Sequence, residues 1–371
     1  MILNKLKFIL PVFLCIGCDL DAKDFPTSEV TRGISGIFLK QHELMTRNSW
    51  SSAPLDVKTV EKNIGRYDAI WSAQLVAQFN RPAWVYMRQK RPDQMMLHTV
   101  TGDTCRRTKE SSYLDFEYIL KYHPDWFLLN DTRNSKYEDY LVDDKRVRVH
   151  MSPEGTYYNS FYLDVANKEY QKWAAQEILR RVSGEYDKTK YSYTGLLMDN
   201  VHIGSRRMKQ ITNRHPYWKY GRDLKGWNLG YLEFLRVVKE KLNKHGFILI
   251  VNHNLDYSSN LDQQYWEILY DCVDGIATER SLQYARQGYY TNQKWIASIK
   301  RHEEILQKGL IDWWFCRPPE KGPDAYDKFL YSYCSWLLVK KPGKSLFHSK
   351  RGKHAYTNPE VPWYQEYELP I

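Results

Sequence analysis

From about residue 33 onward, short β-branched or aromatic runs alternate with stretches whose apolar residues recur every three or four positions. That alternation is the signature of repeated βα units rather than of a β-sandwich. Candidate strands fall at 34–39, 67–72, 94–99, 196–198, 247–251, 275–278, 311–315 and 345–348. In the 231–242 stretch, Tyr231, Leu235, Val238 and Leu242 share one helical face, with Gly246 as a stop. Tyr170, Ala174, Ile178 and Val182 repeat the pattern ahead of the fourth strand, and 295–306 and 326–338 do so ahead of the seventh and eighth. Eight strands with intervening helices predict a closed (β/α)8 TIM barrel of the α/β class, a single domain over 33–371. An open doubly wound sheet is the competing layout, but no Gly-rich phosphate loop follows any early strand. The 205–228 segment, rich in Arg, Lys and Trp, reads as a long loop after strand four, where loops shape binding sites.

Composition fits such a fold: 371 residues, 43% apolar and 26% charged, exclude a disordered or collagen-like chain. Aromatics make up 15%, with 13 Trp and 29 Tyr, an excess expected where flat rings stack on a ligand, although large cores use them too. Net charge is +10, compatible with an anionic partner of several kinds. Ahead of the barrel, Lys5 and Lys7 precede an apolar run over 8–14, followed by Ile16-Gly17-Cys18, the order of a secretory signal too short to span a membrane. The Gly17-Cys18 ending resembles a bacterial lipobox. It predicts a signal peptide over 1–17, lipidation of Cys18, a tether over 18–32, and an exported protein held at a membrane of the cell envelope by an N-terminal lipid. Plain secretion is the alternative. Cys105, Cys272, Cys316 and Cys334 show no CxxC spacing, so buried thiols are expected rather than a zinc or redox site.

In a barrel the active site lies at the C-terminal ends of the strands. Two apolar runs end there in acids: Gly195-Leu196-Leu197-Met198 runs into Asp199-Asn200, and Asp274-Gly275-Ile276-Ala277-Thr278 into Glu279-Arg280. Two carboxylates facing one cleft are what glycoside hydrolysis requires, one as proton donor and the other as nucleophile or base. Position suggests Asp199 as the ionised nucleophile and Glu279 as the acid with a raised pKa. The plainer reading of each is a helix cap.

Together with His123-Pro124-Asp125-Trp126-Phe127-Leu128, Tyr162-Leu163-Asp164-Val165-Ala166-Asn167, Arg66-Tyr67-Asp68 and the closing Glu368-Leu369-Pro370, these runs resemble the polygalactosaminidase-like TIM-barrel glycosidases and the related hypothetical glycosyl hydrolases. The resemblance implies a barrel with Asp199 and Glu279 as catalytic acids. By likeness to α-galactosidase-type barrels it also implies a retaining mechanism on an α-linked glycan, and a cell-envelope or extracellular polysaccharide is the expected substrate. Asn252-His253-Asn254 departs from that family's Asn-Pro-Gly-like turn, which leaves the sugar open.

Around the pair, Asn200 is a candidate sugar ligand, while Asn252 and Asn254 are placed to bind sugar hydroxyls or the carboxylates themselves, or to cap loops. Of the adjacent Trp313 and Trp314, one should point inward and one toward the helices; Trp314 is taken as the stacking platform. Arg317 is placed to meet an anionic sugar and His348 ends strand eight, while His202, Asp103 and Asp164 read as scaffold, a third carboxylate or caps. Without HxH or HExxH spacing, no metal or other cofactor is expected, and Arg206-Arg207 and Lys350-Arg351 sit in no nucleic-acid-binding motif. Two other readings stand beside the hydrolase: a catalytically silent glycan-binding barrel, and a metal-dependent hydrolase.

Overall fold

The computed structural model describes residues 35–37, 68–72, 81–106, 113–131, 141–143, 146–148, 160–185, 193–204, 224–253, 263–279, 282–284, 288–316 and 325–349. Eight parallel strands appear where the apolar runs predict them: β1 (Ser35–Ile37), β2 (Ala69–Ser72), β3 (Met95–Arg106), β4 (Gly195–Asp199), β5 (Ile248–Asn252), β6 (Gly275–Glu279), β7 (Ile311–Cys316) and β8 (Ser345–Ser349). Their spatial order follows their chain order, and β1 returns beside β8 to close the ring. That order is the (β/α)8 barrel; a doubly wound sheet would reverse direction part-way.

The helices are α1 (Arg81–Lys90), α2 (Phe116–Tyr122), α3 (Lys168–Val182), α4 (Leu224–Asn243), α5 (Gln263–Asp271), α6 (Asn292–Gln307) and α7 (Ala325–Val339). The faces read from spacing are the buried ones. Tyr170, Ala174, Ile178 and Val182 on α3, and Tyr231, Leu235, Val238 and Leu242 on α4, are all fully covered. Burying each large apolar side chain of this kind contributes about 1.5–3 kcal/mol, so packing holds these helices on the sheet.

Strand alternation splits the core into two layers. Met96, Val100, Leu196, Met198, Leu249, Val251, Ile276, Trp314 and Phe347 face the helices. The barrel interior is filled by Ala69, Met95, Leu97, Leu197, Ile250, Ala277, Ile311, Trp313, Phe315 and Leu346.

Two glycines set where the acids land. An added Cβ on Gly195 would sit 2.4 Å from the Ile248 carbonyl oxygen, and one on Gly275 2.6 Å from Ile311 Cβ. Both strands thus start at a close approach that only glycine allows. Four residues on, with a period of two, Asp199 and Glu279 fall on the same inward face as Leu197 and Ala277.

One departure from the expected layout is the length of β3, which runs well past the predicted 94–99. Beyond the barrel rim it pairs with the short strands Tyr113–Asp115 and Ser160–Tyr162. Between these lie α2 and a small antiparallel sheet of Leu129–Asp131, Leu141–Asp143 and Arg146–Arg148. Cys105, Cys272 and Cys316 are buried, Cys334 is exposed, and none forms a disulfide among the described residues. Burial pushes the Cys272 thiol up to about 11 and that of Cys316 to about 12, which keeps both protonated. The signal segment, tether and Cys18 lie outside the described residues; among the described helices none is long and apolar enough to cross a membrane.

Candidate active site

Above the apolar plug of the barrel, the next inward positions on successive strands are Asp199 on β4, Asn252 on β5, Glu279 on β6, Phe315 on β7 and His348 on β8. The structure therefore brings the two predicted carboxylates to one mouth, with an amide between them. Asp199, Asn252 and Glu279 are each partly exposed, as groups that meet a ligand must be.

Asp199 is held firmly. Its Oδ1 accepts 2.7 Å from the Asn252 side-chain amide and 2.9 Å from the backbone N–H of Asn200. Asn200 reaches that geometry by adopting φ +57, the left-handed region that Asn tolerates better than most residues. Asn252 is fixed in turn by its strand, and its carbonyl accepts the Val201 N–H at 3.2 Å. Asn252 thus binds the carboxylate, one of the roles open to it in the sequence, and Asn200 does so through its backbone.

Burial raises the Asp199 carboxyl above the ordinary carboxylate range. The charge of Glu279 raises it further, while the Asn252 and Asn200 donors and the neighbouring His202 pull it down. Asp199, read from the sequence as the ionised nucleophile, is thus an acid whose carboxyl burial and the charge of Glu279 push upward.

The aromatic expectation is corrected. Trp314 is fully buried on the outer layer; its indole N–H donates 2.6 Å to Asp312 Oδ2, and its ring lies 3.9 Å from His302. It cannot stack on a ligand in the mouth. Its neighbour Trp313 fills the barrel interior. Rings at the mouth come from Trp71 at the end of β2 and from Phe315, stacked with centroids 5.7 Å apart and planes 19° apart. His348 packs edge-on against Phe315 at 5.4 Å and is almost fully buried, so it forms wall rather than floor. Trp71 was legible only as an aromatic ending an apolar run.

Sequence reasoning also left Asp103 and His202 apart, and the structure joins them. Asp103, on the overhanging end of β3, places Oδ2 2.7 Å from His202 Nδ1. Asp164 holds the turn ahead of α3, its Oδ1 accepting from the Ala166 N–H, while the helix cap itself is Asn167. Asn254, Arg317 and the basic pairs at 206–207 and 350–351 lie outside the described residues. Among the described residues no group of three or more His, Cys, Asp or Glu converges to hold a metal ion.

No family model matches the chain, and no curated protein is similar to it. Solved structures do resemble it. Ega3 of Aspergillus fumigatus, in complex with galactosamine, is 9% identical over 76% of this chain and 83% of its own, with a TM-score of 0.41. An alpha-amylase from Lactobacillus plantarum is 8% identical over 90% and 73%, at 0.44. A GH18 chitinase from Pseudoalteromonas aurantia is 9% identical over 81% and 92%, at 0.41.

Proposed function

We propose that this chain is a glycoside hydrolase acting on a cell-envelope or extracellular polysaccharide, with Asp199 as nucleophile and Glu279 as acid and base. The observation that carries the reading is the convergence of these two carboxylates, inward-facing on β4 and β6, close enough for the charge of Glu279 to raise Asp199. A double displacement starts with one carboxyl protonated and the other ionised. The Asn252 and Asn200 donors hold Oδ1 of Asp199 and oppose part of the rise that burial and Glu279 cause; the attack is given to Asp199 for its place at the end of the fourth strand.

In the first step Glu279 gives its proton to the departing glycosidic oxygen while the C–O bond breaks and an Asp199 oxygen bonds to the anomeric carbon. In the second, Glu279 takes a proton from water, the water oxygen bonds to that carbon, and Asp199 leaves as carboxylate. Trp71 and Phe315 supply the apolar wall for a sugar ring.

The test is release of reducing ends from envelope and biofilm polysaccharides by the wild type, Asp199→Asn and Glu279→Gln. Loss of activity in both folded variants, with products first released in the substrate's anomeric configuration, is the expected result. Activity surviving both variants sinks the assignment, and glycan binding without release favours a silent barrel. Export and lipidation at Cys18 belong to the same proposal, carried by the N-terminal sequence, and predict fatty-acid labelling that Cys18→Ala abolishes.

A further inference from the structure

The Asp103–His202 pair is the strongest feature left over. Asp103 is completely buried and His202 is 15% exposed, with Oδ2 and Nδ1 2.7 Å apart. A carboxylate only accepts, so the hydrogen in this contact sits on Nδ1 of His202. In the neutral ring Nε2, on the opposite edge, then carries a lone pair. The residue is held on other sides too: the His202 backbone carbonyl accepts 3.1 Å from the Trp227 indole N–H, and the Tyr162 ring meets the imidazole edge-on at 5.9 Å. His202 keeps part of its side chain exposed beside the fully buried Asp103. The residue also lies near the reaction centre, three positions after Asp199 where β4 ends.

A second pair in the same protein serves as a control. His302 Nδ1 is 2.7 Å from Asp312 Oδ1, the same contact, but both side chains are completely buried in the outer layer beneath Trp314. That pair has no access to a ligand. Of these two pairs among the described residues, the Asp103–His202 pair is the one whose imidazole is partly exposed. The other carboxylate oxygen of Asp103 has no hydrogen-bond partner among the described residues, which leaves His202 as its one bonded neighbour there.

We infer that His202 is a further substrate-binding residue of this cleft, accepting a hydrogen bond from a sugar hydroxyl at Nε2, and that Asp103 is the positioning residue that fixes its ring and tautomer. The inference rests on the glycosidase reading above and names a contact that reading does not need.

Ring 15N–1H correlations of the labelled full chain, with the His202 signals identified by their loss in His202→Gln, read the tautomer without any substrate. The expected result is a hydrogen on Nδ1 and a bare Nε2 that shifts when an oligosaccharide product is added. Asp103→Asn, whose amide can donate to Nδ1, should move the hydrogen to Nε2. On a polysaccharide that the wild type cleaves, His202→Gln and Asp103→Asn should each lower kcat/KM about tenfold to a hundredfold. The double variant should be no worse than the poorer single one, because the two residues act as a unit. A hydrogen on Nε2 in the wild type, additive losses, or full activity in His202→Gln while Asp199→Asn is dead would each overturn the inference. If Asp103→Asn fails to fold, His202→Gln at the partly exposed position carries the kinetic arm. Full activity in Asp199→Asn instead overturns the glycosidase centre, and this inference with it, so the two failures appear in different variants.

Discussion

The side-chain amide of Asn252 reaches from β5 to donate a 2.7 Å hydrogen bond to Oδ1 of Asp199 on β4. That donor is the largest of the three influences lowering an acid that burial and Glu279 raise. In Asn252→Ala the Asp199 carboxyl therefore rises further. The acidic limb of the pH–kcat/KM profile should move to higher pH, with about a tenfold loss on the acid side of the optimum, because less of the nucleophile is ionised there. An unmoved limb would separate Asp199 from the rate.

Asp199→Asn should stabilise the fold at neutral pH while abolishing hydrolysis. The folded-state pKa of Asp199 is raised, so below the ordinary carboxylate range the group is protonated in both states and carries no penalty. As pH rises through the folded value, the wild type loses stability that the Asn variant keeps. The urea midpoint of the Asn variant should lie above that of the wild type at pH 7, and the two should converge toward pH 3.

Trp314→Phe removes the indole N–H that Asp312 Oδ2 accepts at 2.6 Å inside a completely buried triad with His302. The stranded carboxylate oxygen should lower stability by about 1–3 kcal/mol. KM and kcat should stay at wild-type values, measured well below the lowered melting temperature. Trp71→Ala should do the reverse, raising KM severalfold with a smaller change in melting temperature, since the Trp71 ring is only partly buried at the mouth.

Gly275→Ala forces a Cβ to within 2.6 Å of Ile311 Cβ and 2.9 Å of the Ile311 carbonyl oxygen. Separating β6 from β7 to relieve it should lower stability by about 1–3 kcal/mol. It should also reduce activity, because Glu279 rides on the same strand. A variant with unchanged melting temperature would show that the strands yield freely.

The barrel was largely legible because each strand is a short apolar run bounded by polar or glycine residues, and all eight appear within a few residues of their predicted starts. The two acids were legible for the same reason: each ends such a run, four residues after a glycine. Which of Trp313 and Trp314 faces inward was not, since adjacent residues on a strand always point apart and the sequence carries no origin for the alternation. The overhang of β3 was hidden because Thr101-Gly102-Asp103-Thr104 looks like a loop, and only its pairing with two distant short strands makes it a strand. The Asp103–His202 contact joins positions 99 apart in sequence, a proximity that no local pattern encodes.

The apolar plug formed by Leu197, Ile250, Ala277, Trp313 and Leu346 has an implication for traffic. Tightly packed side chains close the barrel axis below the carboxylates, so no sugar, product or water passes through the far end of the ring. Whatever reaches Asp199 and Glu279 arrives and departs by the same doorway. A new substrate can then take its place only after the previous product has left, and a product that lingers there should compete with substrate and slow turnover.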